Sequence, residues 1–447
     1  MHIHFIAIGG AIMHQLAIAL KNKGFHISGS DDDIANPAKS NLKQAGLLPP
    51  KTGWFPEKIT SDTDAVILGM HAKADNPELL QALRLNIRVY SFPEYIYETC
   101  KNKKRVVIAG SHGKTTTTSM IMHVLKYCNM DFDYLVGASV EGFEHAVKIS
   151  DAPVIILEGD EYPASAIEKH PKIHFYHPHI SVLTGIAWDH VNVFPTYDFY
   201  KEQFALYIRN MQAGASIIYN AEDREVVQLI EKEAESLRQI PYATPSYKIA
   251  DDEVVLPTSQ GNITLKIFGD HNLQNMEAAR KTCNELGIDN FDFYKAIVSF
   301  KGAAKRLEKI TEREDLIVFR DFAHAPSKLK ATLKAVRERF PGHFLMACFE
   351  LHTYSSLQEN FLSEYAHALN DCDRGAVFFS AHALQLKGLP QLGEARIKDS
   401  FQNDRLFVTN DPEALHQWIT DTMHLTEHPV CLLLMSSGTF EGMALNF

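Results

Sequence analysis

The chain has 447 residues, 45% hydrophobic and 22% charged, with a net charge of −11. That size suits a globular protein of about two to four domains with buried cores, and the acidic balance without a long basic run argues against nucleic acid as the main partner. The six cysteines are scattered with no C-x-x-C spacing, which excludes a disulfide framework or zinc site and fits reduced thiols in the cytoplasm. No apolar run is long enough to span a bilayer, and the N-terminus enters a strand with no basic region or cleavage pattern, so a cytoplasmic enzyme without a membrane partner is expected.

Ile3–Ile8 predicts a strand ending in Gly9-Gly10, followed by Ile12-Met13, Leu16-Ala17 and Leu20 at helical spacing and by Gly24. Phe25–Asp31 predicts a second strand with an acidic end. This is a Rossmann-type βαβ start. Either Gly9 and Gly10 offer N–H groups to a pyrophosphate and Asp31 or Asp32 accepts from a ribose or base, or the turn is purely structural. The G-x-G-x-x-G fingerprint is broken by Met13, so a nucleotide other than NAD is at least as well served. Ala65–Gly69 predicts another strand with Met70-His71 at its ligand-facing end. Asn76 before the helix 78–84 is either a ligand contact or the helix cap. The polar stretch Lys101–Arg105 marks the first domain boundary.

The central domain opens on Val106–Ala109, a compact apolar strand, then Gly110-Ser111-His112-Gly113-Lys114-Thr115-Thr116-Thr117-Thr118 and a helix through Met120–Leu125. Strand, glycine loop, Lys-Thr and helix make a phosphate-binding loop. The glycines let backbone N–H groups converge on phosphate oxygens, the helix N-terminus adds partial positive charge, Lys114 reaches the terminal phosphates and Thr115 can ligate magnesium. Val154–Leu157 ends in Glu158-Gly159-Asp160-Glu161-Tyr162, acids placed either for magnesium or for solvent. Ile180–Leu183 leads to Trp188-Asp189-His190, a pair that alone reads as structural. His271, Asn272 and Asn275 stand in the first turn of a helix, where capping is the plain role. A last domain begins near Gly302, with Lys305 and Arg306 leaving a glycine turn able to meet a terminal phosphate. Strands at 316–319, 344–348, 376–380, 406–408 and 431–435 alternate with helices as a second Rossmann-like domain. Asp321, Phe322, Ala323 and His324 stand at the end of its first strand.

The motifs GSHGKTTTT (110–118), EGDEY (158–162), WDH (188–190), GDHNLQN (269–275), AKRLE (304–308) and DFAHAP (321–326) together resemble the Mur ligases over essentially the whole chain. The opening HFIAIGGAIMHQLA and SGSDDD resemble the branch that takes UDP-N-acetylmuramate. The resemblance implies an α/β fold of three domains: a Rossmann-like UDP-sugar-binding domain (1–103), a central P-loop ATPase-like ATP-binding domain (104–300) and a C-terminal Rossmann-like amine-binding domain (301–447). It implies ATP and Mg2+ as cofactors, with Gly110, Ser111, His112, Gly113, Lys114, Thr115, Thr116, His271, Asn272, Asn275, Arg306 and Asp321 at ATP. Thr115, Glu161 and His190 are implied at metal, Gly9, Gly10, Asp31 and His71 at the UDP-sugar, and Lys114, Glu161, His190, Arg306 and His324 in catalysis.

The implied activity is ATP-dependent amide formation through an acyl phosphate, in peptidoglycan metabolism. Within the branch the amine is L-alanine or a recycled tripeptide, L-alanyl-γ-D-glutamyl-meso-diaminopimelate. Three departures from the family pattern stand out. His324-Ala325-Pro326 replaces His-His-Pro, Gly185 replaces an asparagine, and Leu351-His352-Thr353-Tyr354-Ser355-Ser356 replaces an arginine-bearing segment. The lost arginines favour the peptide, as does the wording EYPASAIEKHPKIHFYHPHISVL. An L-alanine ligase is the alternative, and a P-loop ATPase or kinase without amide formation is the alternative of another class.

Overall fold

The computed structural model describes residues 1–447 except 192, 251–252, 304–305 and 446. Two compact units emerge, one of residues 1–186, 201–243 and 278–293, the other of 187–200, 244–277 and 294–447. Lys305, expected beside Arg306, lies outside the described residues.

The first unit holds two sheets. Strands β1 (His2–Ile6), β2 (His26–Ser30), β3 (Ala65–Leu68) and β4 (Val89–Ser91) form a parallel sheet of order β2-β1-β3-β4. β1 is shorter than its apolar run because Ala7 turns to a left-handed φ of 68°. Strands β5 (Lys104–Ala109), β6 (Asp133–Leu135), β7 (Val147–Lys148), β8 (Val154–Glu158), β9 (Ile180–Leu183), β10 (Ser216–Asn220) and β11 (Arg238–Tyr242) form a seven-stranded sheet of order β11-β10-β9-β5-β8-β6-β7, parallel except for β7. β5 runs through its middle, with Val106, Val107, Ile108 and Ala109 fully buried. A strand covered on both faces reads as a continuous apolar run, which is why this one stands out in the sequence.

Lys101–Arg105 is not a free polar link. Lys103 pairs with buried Asp133, and Arg105 is fully buried inside β5. Its Nε donates to the carbonyls of Tyr176 and His177 at 3.0 and 2.9 Å, and its Nη1 to those of Cys100, Lys101 and Lys103.

The second unit carries an antiparallel sheet of β12 (Lys248–Ala250), β13 (Glu253–Thr258) and β14 (Gly261–Leu265). It also carries a six-stranded sheet of β15 (Glu308–Glu312), β16 (Leu316–Asp321), β17 (Phe344–Leu351), β18 (Arg374–Phe379), β19 (Phe407–Thr409) and β20 (Val430–Met435). The order is β15-β16-β20-β17-β18-β19, parallel except for β15. The last strand of the chain therefore inserts between β16 and β17. The carboxyl ends of the strands are where open α/β sheets take ligands.

Candidate active site

The loop after β5 is shaped by its glycines. Gly110 and Gly113 have φ of 120° and 82°, conformations that L side chains rarely adopt. A Cβ on Gly110 would collide with Thr184 and the backbone of Gly185. The segment after β9 forms the floor: Ser111 N–H donates to the Gly185 carbonyl at 2.8 Å, and Thr184 Oγ1 donates to the carbonyls of Ala109 and His112. Gly185 fits here because the Asp223 carboxylate stands 3.3 Å from where its Cβ would be. The helix Lys114–Tyr127 starts at once and is buried over Thr115–Met122, so its threonines are interior as well as loop residues.

The strands at 154–157 and 180–183 follow one another in the chain but are not neighbours in the sheet. β8 and β9 flank β5 on opposite sides, so the acids after β8 and the 184–185 floor reach the loop from either hand.

The Lys114 ammonium donates to the Gly110 carbonyl and to Glu161 Oε2 at 2.7 Å, with Glu161 1% exposed. Burial pulls the Lys114 pKa down, but Glu161, Asp160 and Glu158 together hold it above its ordinary value. Asp160 pairs with Lys172 at 2.6 Å. Burial opposes ionisation of its carboxyl, yet Lys172 and Lys114 keep it below the usual range.

Thr115 Oγ1 donates to Glu158 Oε1 at 2.8 Å, and Glu158 Oε2 accepts from Gly137 N–H at 2.9 Å. Glu158 is the carboxylate that sequence reasoning passed over in favour of Glu161. Its signal was its place as the last residue of the strand beside the loop. Hydroxyl and carboxylate oxygens of Thr115, Glu158 and Glu161 are hard donors that suit magnesium. Among the described residues no three His, Cys, Asp or Glu side chains form a complete cage. A cation that keeps several waters and takes one or two carboxylates needs none.

At the carboxyl edge of the four-stranded sheet, Gly9 N–H donates to Asp31 Oδ2 at 2.7 Å. Asp31 thus braces the glycine turn, and the Gly10 carbonyl accepts from His14 Nδ1 at 2.9 Å. His14 Nε2 lies 2.8 Å from Gln15 Nε2 and 3.2 Å from Asn41 Nδ2. With two amide donors on Nε2, the proton belongs on Nδ1. His71 is exposed beyond β3. Asn76 caps the helix Pro77–Arg84 through the N–H groups of Glu78 and Leu79, so capping accounts for it.

The remaining expected residues lie in the second unit. Asp189 is buried, and its Oδ1 accepts from His190 N–H at 2.7 Å. Its Oδ2 lies 3.7 Å from His324 Nε2. Burial opposes its charge, but His190, His324 and Lys328 hold its carboxyl well below the usual range. His324 Nδ1 contacts the Phe322 carbonyl at 2.9 Å, and Tyr365 hydroxyl donates to the His324 carbonyl. Burial, helped by Lys328, lowers the His324 pKa against the attraction of Asp189, so the neutral ring persists to lower pH than in an ordinary histidine.

Asp321 accepts from Leu307 N–H and from Thr332 Oγ1, both at 2.9 Å. It therefore ties down the turn that carries Arg306, whose guanidinium stacks 4.6 Å from the Phe322 ring centre. The helix Asp270–Glu285 begins beside Gly269 (φ 85°), where a Cβ would strike Ala335. Asn272 Nδ2 donates to the Phe268 carbonyl at 2.9 Å, and Asn272 and Asn275 are both buried. Burial pushes the His271 imidazole down despite nearby Asp321 and Asp270.

A glycine cradle at the start of a helix, a buried lysine and carboxylates at the next strand end define an α/β enzyme that uses nucleotide phosphates. Residues 2–104 match the Mur ligase family catalytic domain, and residues 108–283 match the Mur ligase middle domain. The UDP-N-acetylmuramate–L-alanine ligase of Caldicellulosiruptor bescii is 31% identical over 386 residues, 83% of this chain and 82% of that one. The UDP-N-acetylmuramate–L-alanyl-γ-D-glutamyl-meso-2,6-diaminoheptandioate ligase of Haemophilus influenzae is 26% identical over 454 residues, 99% of this chain and 97% of that one. The crystal structure of the UDP-N-acetylmuramate-alanine ligase of Thermotoga maritima superposes with a TM-score of 0.71 at 21% identity, covering 99% of this chain and 97% of that one. The chain belongs to the Mur ligase family. It is an ATP-dependent ligase that forms amide bonds. Among the described residues no helix is long and apolar enough to cross a membrane.

Proposed function

We propose that this enzyme joins the carboxylate of UDP-N-acetylmuramate to the amine of a peptide, L-alanyl-γ-D-glutamyl-meso-diaminopimelate, in cytoplasmic peptidoglycan recycling. One observation carries the choice of amine. The segments that follow β17 and β20, 352–358 and 436–442, contain no lysine or arginine. Free alanine brings a carboxylate close to its reacting amine, and a site for it calls for a fixed cation, best an arginine. A peptide has an amide carbonyl at that point, which His352, Thr353 and Tyr354 can satisfy. The second reading, L-alanine as the amine, is favoured by the 31% identity to an alanine ligase.

In the proposed mechanism residues 1–103 hold the UDP-sugar, 104–300 hold ATP and 301–447 receive the amine. Gly9, Gly10, Asp31 and His71 border the UDP-sugar. The loop Gly110–Thr116 cradles the phosphates through its N–H groups, and Lys114 balances their charge. Thr115 and Glu161 would hold one Mg2+ and His190 a second, with Glu158 orienting Thr115, and the ions would supply charge neutralisation on the phosphates. His271, Asn272 and Asn275 border the adenine, and Arg306, braced by Asp321, meets the γ-phosphate. Transfer of that phosphoryl group to the muramate carboxylate gives an acyl phosphate. The amine then attacks the carbonyl and expels phosphate, and neutral His324 beside Asp189 takes up the proton. Positioning and charge neutralisation supply most of the rate.

The test is kcat/KM for tripeptide and for L-alanine at saturating ATP and UDP-N-acetylmuramate, read as ADP release. A higher value for L-alanine overturns the peptide assignment. ADP release that ignores every amine overturns amide formation by this site.

A further inference from the structure

We propose that Glu350 is a positioning residue, fixing the 436–442 loop as the wall that selects the amine substrate. The inference rests on the reading that the carboxyl edge of the six-stranded sheet receives that amine. Glu350 is the penultimate residue of β17 and is 1% exposed. Its Oε2 accepts from Phe440 N–H at 2.9 Å and from the Ser436 hydroxyl, and its Oε1 lies 3.5 Å from His352 Nδ1. Burial alone would push this carboxyl up, but His352, Ser436 and the Phe440 N–H hold it below its ordinary value. A buried charge costs stability unless its partners are well placed. Two of the partners here belong to one loop.

That loop has a conformation which needs outside support. Phe440, Glu441 and Gly442 have φ of 50°, 52° and 82° in succession, and left-handed non-glycine residues persist only where surroundings over-determine them. The far end of the loop is tied as well. The Ser380 hydroxyl donates to Glu441 while Ser380 Oγ accepts from Ala383 N–H at 2.8 Å, capping the helix Ala381–Leu386. The middle passes so close to β17 that a Cβ on Gly438 would stand 2.7 Å from His352 Nδ1 and 2.9 Å from Glu350 Oε2. The loop after β20 is therefore set by the ends of β17 and β18, the next two strands in the sheet order. Its polar atoms are hydroxyls, backbone groups and the Glu441 carboxylate. Beside the reacting amine such a wall, without a fixed cation, suits the amide of a peptide better than the carboxylate of free alanine.

The experiment uses the full chain with Glu350→Gln, Glu350→Ala and Gly438→Ala. It measures kcat, KM for each of the three substrates and thermal midpoint, with whichever amine the wild type prefers. Loss of the anchor in Glu350→Ala, and displacement of the loop by the added methyl in Gly438→Ala, each predict an amine KM raised about tenfold. Glu350→Gln, which still offers an oxygen to Phe440 N–H, should raise it only about threefold, with KM for ATP and UDP-sugar within about twofold of wild type. The thermal midpoint separates the two roles. A structural residue alone would lower the midpoint and disturb all three KM values together, and that result overturns the proposal. Should Glu350→Ala fail to fold, Glu350→Gln and Gly438→Ala decide it, and an unchanged amine KM in both overturns it. Wild-type enzyme that turns over no amine refutes the underlying reading and this inference with it. A wild type that works beside variants with unaltered amine KM refutes this inference alone.

Discussion

Replacing Lys114 should cost the protein stability as well as activity. From the sequence a phosphate-loop lysine is a solvent-side group whose removal abolishes turnover and spares the fold. In the structure its ammonium is 2.7 Å from Glu161 Oε2, and the two side chains are 14% and 1% exposed. Lys114→Met therefore leaves a buried carboxylate without its cation. Breaking such a pair typically costs about 3–5 kcal/mol. The remaining exposure of Lys114 puts this case near about 3 kcal/mol after allowance for solvent screening. Glu161→Gln should cost less, about 1–2 kcal/mol, because Lys114 keeps the Gly110 carbonyl. In the double variant neither charge remains buried, so its loss should be about 1 kcal/mol, a coupling of about 3 kcal/mol between the two sites.

For a cooperative unit of this size, about 3 kcal/mol corresponds to a fall of roughly 6–12 °C in thermal midpoint. The assay is thermal unfolding of the wild type, both single variants and the double variant at neutral pH, with ADP release measured alongside. The pH matters because the folded pKa of Lys114 lies above its unfolded value. Its contribution is complete below the unfolded pKa and is lost only as an alkaline pH climbs through the folded one. All three variants should lose turnover, and Lys114→Met should lose the most stability. Equal midpoints for Lys114→Met and the double variant would refute the reasoning, since the orphaned Glu161 would then cost nothing.

Glu158→Gln should raise the Mg2+ concentration for half-maximal ADP release about tenfold, the usual scale for a group that orients a metal ligand, and chelation with EDTA should stop turnover in every variant; an unchanged Mg2+ titration counts against Glu158 behind Thr115. Asp321→Asn can accept from only one of Leu307 N–H and Thr332 Oγ1, so kcat should fall about tenfold or more as the Arg306 turn loosens while the amine KM holds, which steady-state kinetics with varied amine will check. Burial holds His14 below its ordinary pKa of 6.5, so its contribution is complete above that value and is lost as pH falls through the folded one; thermal midpoints should decline on acidification from neutral pH, and His14→Gln should flatten that slope.

The phosphate loop was readable because every signal for it is local. β5 is apolar throughout, the glycines sit where φ turns positive, and the helix begins on Lys114. The alternation of strands and helices from 316 onward was readable for the same reason. What escaped notice depends on partners far along the chain. Lys101–Arg105 looks like a polar connector, yet the carbonyls around the Arg105 guanidinium come partly from residues 176 and 177. Glu158 and Glu161 are three residues apart in one acidic run, and only their distances to Thr115 and Lys114 separate their roles. Glu350 is the next-to-last residue of an apolar strand and looks out of place until Ser436 and Phe440 return beside it, because β20 inserts next to β17. Asp31 and Asp321 were expected at nucleotides. The structure gives their oxygens to the N–H groups of Gly9 and Leu307, so each acts first on the backbone that shapes its edge of the sheet.

The phosphate loop carries a charge balance that links these points. Glu158, Asp160 and Glu161 stand against Lys114 and Lys172, one negative charge in excess beside a loop expected to receive a polyanion. Backbone N–H groups and the helix N-terminus contribute only about half a positive charge. Phosphate binding therefore cannot be a property of the lysine alone. The acids keep Lys114 protonated and hold it in place, and the same acids would give a divalent cation its foothold. That cation would in turn make the site positive enough for the phosphates. Removing an acid would make the loop more positive and yet serve it worse, because Thr115 and Lys114 would lose the groups that aim them. The preference for carboxylates here follows from orientation and metal binding, with net charge supplied by what binds.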